Sequence, residues 1–376
     1  MRPAIRSPSA DSARPVPLIE SAPANAAPNA HRRRRALRTL TALALALALA
    51  AIAALCIGAY PLTPAQLFDA LTASDTLLSS DPMLRQARAV LLEIRAPRVA
   101  LASLVGAGFG MAGAATQALF RNPLADPALI GVSSGAALGA SALIVLGPGI
   151  VAGPVAPGYL PIAAFAGALG VAALIHRFAA TRGQLALPLL LLAGIAINAL
   201  CGSTIGLLTY FANDTQLRSL TFWSLGSVGG AQWRTIVAIT PFALVGCALL
   251  ARERHALNAL QLGETQAQHL GVPVLRVKRR VIVGTALCIG SLVSCTGMIG
   301  FIGMIAPHWV RLAVGPDQRI AMPGAALLGA LVALCADLAA RTLAAPAEIP
   351  LGILTALLGA PFFLALLWKQ RAALGA

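Results

Sequence analysis

Asp337 and Arg341 stand four residues apart inside a long apolar run, a spacing that sets a carboxylate and a guanidinium on one helix face. Ionisable groups in such runs are costly and are kept as ion pairs, proton relays or ligand contacts. Asp337 is the one clear intramembrane carboxylate. The pair therefore reads as a local ion pair near a helix end, the favoured reading, or as the coupling site of an ion-driven secondary carrier. The remaining reactive side chains form no set. His31, His176, His255, His269 and His308 do not cluster and no H-E-x-x-H occurs, so no metal centre is indicated. Cys56, Cys201, Cys247, Cys288, Cys295 and Cys335 include no C-x-x-C pair and read as small buried apolar residues. The two lysines, Lys278 in RVKRR and Lys369 in LWKQR, follow no glycine loop, so no nucleotide-hydrolysing motif is present and no catalytic residue is assigned.

Helices in lipid must position these residues. The 376-residue chain is 58% hydrophobic and only 11% charged, with a mean hydropathy of +0.80, whereas soluble domains carry about a quarter charged residues. Its apolar runs are continuous and not alternating, which selects spanning helices over a barrel. The net charge of +15 is spread over the ends of those runs, with no aromatic-studded basic domain. That pattern belongs to membrane topology and excludes a nucleic-acid reading.

Residues 1–30 are rich in Pro, Ala, Ser and Asn and lack a periodic apolar face. Together with HRRRR at 31–35 they are predicted to form a disordered tail, 1–35, leaving 36–370 as the transmembrane domain. The run 40–60 has the roughly 20 residues a bilayer core requires and follows a long tail, unlike a signal peptide. Further spans are predicted at 97–119, 128–146, 158–177, 187–211, 235–251, 281–298, 300–314, 320–343 and 349–368, ten in all. The stretch 281–314 stays open, because Gly297, Gly300, Gly303 and Pro307 fit one broken helix or two short ones. On ten spans, 21 of the 28 Lys and Arg share the tail's side, and seven (Arg85, Arg88, Arg95, Arg98, Arg218, Arg234, Arg341) lie opposite. The positive-inside rule then puts both termini in the cytoplasm. Tyr60, Tyr159, Tyr210 and Trp233 fall at outer ends and Trp368 at an inner end, as interfacial aromatics do.

Small residues mark close helix approaches. Gly106 and Gly110 form one G-x-x-x-G, and Gly131, Gly135 and Gly139 form two more, a spacing that lets backbones touch in lipid. The loop 252–280 alternates short amphipathic turns (Leu257, Leu260, Leu262, then Ala267, Leu270) with Gly263, Gly271 and Pro273. It fits a groove on a soluble partner or a lipid surface equally.

RAPRVALASLVGAGFGMAGAATQALFRNPLADPALIGVSSGAALGA (95–140) resembles the signature of the FecCD-type permeases, which import ferric siderophores, haem and cobalamin. So do LNALQLGETQAQHLGV (257–272), GMIGFIGMIAPHWVRLAVGPDQR (297–319) and ADLAARTLAAPAEIPLGILTALLGAPFFLALL (336–367), in order, over about 60–370. The resemblance implies the type II fold of ABC importer permeases: an all-α polytopic inner-membrane protein, forming a homodimer of ten-span subunits. Two ATPase subunits, which use ATP and Mg, would sit below and a periplasmic binding protein above, and this chain would hold no cofactor. It also implies that the loop at about 253–279 docks the ATPase through Leu257, Leu260, Gly263, Glu264, His269 and Gly271. Arg95, Arg98 and Arg341 would meet binding-protein carboxylates, and gates would lie near Ser133, Ser134, Leu187 and Pro188. TYFANDTQLRSLTFWSLGSVGGAQW (209–233) is similar to the haem permeases, which makes haem the first-choice cargo, with ferric siderophore and cobalamin as alternatives. His308 belongs to an APH string shared with members that carry no haem, so a structural use is expected for it.

Overall fold

The computed structural model describes residues 26–374 except 59, 61, 75–76, 78–79, 152–157 and 182–183. Helix α1 spans Ala26–Cys56, so the tail predicted to be disordered to residue 35 is already helical from 26; residues 1–25 lie outside the described residues. Ala and Arg are strong helix formers. Once the apolar run has formed a helix, extending it backwards through HRRRR needs only propagation and no new nucleus.

Two short helices without a membrane-length apolar run follow, α2 (Pro64–Thr72) and α3 (Pro82–Ala89), neither of them expected from the sequence. A Thr63–Gln66 capping box starts the first, and Asp81 accepting from the Met83 and Leu84 amides starts the second. α3 runs through a π turn, Val90–Arg95, into α4 (Ala96–Leu119). Pro97 has no N–H to return to Leu92 across that wider turn. The Leu92 carbonyl accepts instead from Trp233 Nε1 at 2.8 Å, pinning the π turn to a distant helix start.

A 3-10 turn (Pro127–Ile130) leads into α5 (Val132–Val151), which α6 (Tyr159–Ala179) follows. The two-residue hairpin β1 (Ala180–Thr181) and β2 (Gln184–Leu185) then enters α7 (Leu187–Phe211). Next come α8 (Asp214–Leu225), α9 (Trp233–Arg252), and the short α10 (Arg254–Leu260) and α11 (Glu264–His269). The chain ends in α12 (Val274–Thr296), α13 (Ile302–Val314), α14 (Gln318–Ala340) and α15 (Leu351–Leu374).

Small residues set the centre of the bundle. α4 lies on α14 so closely that a Cβ on Gly106 would stand 2.2 Å from the Gly329 carbonyl oxygen, and one on Gly110 2.0 Å from that of Ala325. α5 meets α6 in the same way, with Gly135 against Gly167 and Gly139 against Ala163. Gly131 also packs on α6, where a Cβ would stand 2.3 Å from Ile175 Cδ1, and its φ of +79° turns the chain out of the 3-10 turn ahead of α5. Of the cysteines predicted to be buried, Cys201 and Cys288 are, and Cys335 is exposed on α14.

The open stretch 281–314 is two helices. α12 ends at Gly297 (φ +70°), the chain turns through Phe301 (φ +66°), and α13 returns toward the end from which α12 began. The break is packed against the end of α8, where the Ser227 amide donates to the Thr296 carbonyl at 2.7 Å. α13 is about 20 Å long at 1.5 Å per residue, short for a full crossing. Among the described residues nine helices are long and apolar enough to span a membrane, and α13 is a shorter apolar tenth.

Candidate functional site

At one end of the bundle the three predicted docking arginines form a single cluster. Arg95, the last residue of the π turn, is 4% exposed and caps the C-terminus of α1. It donates to the Leu55 and Cys56 carbonyls at 2.6 and 2.9 Å and to that of Tyr60, satisfying groups that a helix end leaves without partners. Arg98, in the first turn of α4, donates from Nε to both Asp337 oxygens (2.9 and 3.2 Å) and from Nη1 to Glu348 Oε1 at 2.7 Å. Arg341 donates from Nη2 to the Ala54 carbonyl at 2.6 Å, and its Nε stands 3.8 Å from Asp337 Oδ2. The predicted pair Asp337–Arg341 is thus present, but as the longer of two ion pairs; the closer partner of Asp337 is Arg98. All three guanidiniums already serve the chain's own carbonyls and carboxylates. Glu348 is the functional side chain missed in the sequence, because 250 residues separate it from Arg98.

Asp337 is 0% exposed and clasped by guanidiniums. A carboxylate that loads and releases a coupling ion needs an aqueous route and a vacant position, so this geometry is that of a structural ion pair.

The opposite end carries α10 and α11. Gly263, at φ +125°, separates them, and Gly271, at φ +79°, closes the second. Leu257 and Leu260, predicted as partner contacts, are 0% and 2% exposed and build the loop from inside; Leu262 and Leu270, at 66% and 65%, form its outer apolar surface, with His269 exposed beside Leu270. Polar ties hold the pair to the bundle. Arg280 Nη1 donates to the buried Glu253 at 2.8 Å, Lys278 Nζ to Glu264 at 2.7 Å, and Asn258 Nδ2 to Asp317 Oδ1 at 2.7 Å. Burial alone would raise the Asp317 carboxyl, but hydrogen bonds from Arg319 and Asn258 hold it below the usual carboxylate range. A cavity of about 260 Å³ lies beside this loop, lined by Gln117, Arg121, Gln261, Arg311 and Gln318 among others. Buried Arg311 Nη2, Gln117 Oε1 and Gln318 Oε1 have no protein partner there, and the space is polar and roomy enough for ordered water.

The predicted gate residues lie near the starts of two helices, Ser133 and Ser134 in the first turn of α5 and Leu187 and Pro188 at the start of α7. The 3-10 turn ahead of α5 meets α7 further along, at Gly194, where a Cβ would stand 2.5 Å from the Leu129 carbonyl oxygen. His308 packs edge-on against Phe362 of α15, with ring centroids 5.5 Å apart, as a structural histidine would. No group of three or more His, Cys, Asp or Glu able to hold a metal occurs among the described residues.

A bundle of membrane-length apolar helices with a two-helix hook at one end and an arginine–carboxylate cluster at the other defines a polytopic helical membrane protein. The chain belongs to the FecCD transport family, which it matches over residues 45–369. It is 46% identical over 291 residues to the hemin transport system permease protein of Yersinia pestis, covering 75% of this chain and 84% of that one. It is 38% identical over 342 residues to the vitamin B12 import system permease protein of Citrobacter koseri, covering 90% and 96%. A solved metal-chelate type ABC transporter in an inward-facing conformation shares the fold, with a TM-score of 0.76 and 32% identity over 88% of this chain and 99% of that one. The chain is therefore an ABC importer permease and a multi-pass inner-membrane protein.

Proposed function

We propose that this permease carries haem from the periplasm to the cytoplasm, as a homodimer with two ATPase subunits and a periplasmic binding protein. The observation that carries the haem assignment is the 46% identity to a hemin permease over 75% of the chain, against 41% to a vitamin B12 permease over a like span of 74%. Both ends of the described chain lie in the cytoplasm on this reading, together with α10 and α11. The ATPase subunits receive the outer face of that pair, Leu262 and Leu270 with His269, and supply the ATP and Mg chemistry. The binding protein meets the arginine end. Two guanidiniums there, Arg98 and Arg341, share the carboxylates Asp337 and Glu348 beside Arg95, and the Glu348 side chain is 49% exposed. An incoming carboxylate could take the place of Glu348 on Arg98 without creating an unpaired buried charge.

The test is uptake by the reconstituted complex with haem, a ferric siderophore and cobalamin offered in parallel. Haem uptake above the other two is the expected result. Cobalamin or siderophore uptake without haem would overturn the cargo assignment and leave the family intact.

A further inference from the structure

Lys278 is one of two lysines in the chain and is 5% exposed in the first turns of α12. Its ammonium joins three elements. It donates to Glu264 Oε2, on the first residue of α11, at 2.7 Å, and to the Leu185 carbonyl at 2.9 Å. Leu185 ends β2, two residues before α7 begins at Leu187. Among the described residues Glu264 is the one α11 side chain hydrogen-bonded to a membrane helix; the ties from Asn258 and Glu253 leave from α10 and from the residue before it. An apolar side chain of the same volume would fill this space without desolvating a charge, so the ammonium is not needed for packing. What it adds is a fixed distance between α11 and the entry to α7. The ammonium lies away from water, where separating it from its carboxylate is costlier than in solvent, although the Glu264 side chain is 38% exposed.

We propose that Lys278 is a positioning residue that makes the start of α7 move with α11, so that displacement of the ATPase-facing helix reaches the α7 gate through one ammonium. The proposal rests on the reading of α10 and α11 as the ATPase contact.

The experiment measures cargo delivered and ATP hydrolysed on the same vesicles of the reconstituted complex, for wild type, Lys278→Gln, Lys278→Arg and Glu264→Gln. The expected result is a fall of about tenfold in cargo per ATP for Lys278→Gln, within the roughly 5- to 150-fold range of coupling between sites. Lys278→Arg, which keeps charge and donors, recovers most of it. If Lys278→Gln does not fold, Glu264→Gln carries the test, since it takes the ion-pair charge from the α11 tie, leaving only a neutral acceptor, and keeps Lys278 on Leu185. A merely structural lysine lowers hydrolysis and delivery together and leaves their ratio at the wild-type value, and that outcome overturns the proposal. Failure of the wild-type chain to assemble with an ATPase is a different result: it removes the parent reading, and this proposal with it.

Discussion

Asp337 sits between Arg98 and Arg341 with no access to water; removing its charge would leave Arg341 with no carboxylate and Arg98 with Glu348 alone. Asp337→Ala is expected to cost about 3–5 kcal/mol of stability, as breaking a buried pair does, read as an earlier thermal unfolding in detergent. Replacing Asp337 and Arg341 together by Leu and Met should recover part of that loss, because Arg98 keeps Glu348 and Arg341 no longer leaves a buried charge without a carboxylate. Arg95, Arg98 and Arg341 reversed singly to Glu are expected to weaken association with the binding protein. Electrostatic steering by any arm left exposed would be screened beyond about 8 Å at physiological salt. Titrating that association against salt with the folded variants checks it; unchanged binding in all three would remove the docking role. The sequence showed the Asp337–Arg341 spacing, because four residues is one helix turn. It could not show Arg98 on Asp337, 239 residues away, nor that Arg95 closes α1. Tertiary approach alone creates those pairs.

Among the elements, α4 and α14 depend on bare backbone at their crossing. Gly110→Val places its first carbon near 2.0 Å from the Ala325 carbonyl, so the helices must part. Folded yield after detergent extraction should drop sharply, whereas Gly149→Ala, with nothing within 4 Å, should extract like wild type. At the other end, Leu262→Glu and Leu270→Glu should reduce capture of the ATPase subunit while leaving the fold intact, since both side chains are exposed. Asp317, held below the usual carboxylate range, favours the folded loop above the unfolded value of about 3.9 and loses that contribution as pH falls through its folded value. The protection factors of α10 against hydrogen exchange, corrected for the intrinsic rate at each pH, should therefore be alike at pH 8 and 5 and lower below about pH 4. Apolar run length matched α7 at both ends but began α12 at 281, where the helix starts at Val274, because the basic run RVKRR hid its first turns. It missed α2, α3 and the π turn, whose amphipathic or mixed segments carry no membrane-length signal, and it began α1 late because charge masked the helix propensity of the arginine run.

For the whole molecule, α12 and α13 decide the topology. Their return at Gly297–Phe301 gives an even number of passes when α13 is counted, so a reporter fused at Ala376 should read as cytoplasmic along with the N-terminus. A periplasmic signal at Ala376 would contradict the ten-pass arrangement. The family was legible because four long motifs lie in register, and the cargo was not, since no charged or metal-ligating cluster in the sequence distinguishes one large chelate from another. Above all, the chain should move its cargo only as part of an ATP-driven complex. The most direct measurement is uptake into proteoliposomes holding the chain with its ATPase and binding protein, compared with the chain alone under an imposed proton gradient. Uptake should require ATP and all three components, and the gradient should drive none. Gradient-driven uptake by the chain alone, abolished by Asp337→Asn, would contradict this and establish an ion-coupled carrier.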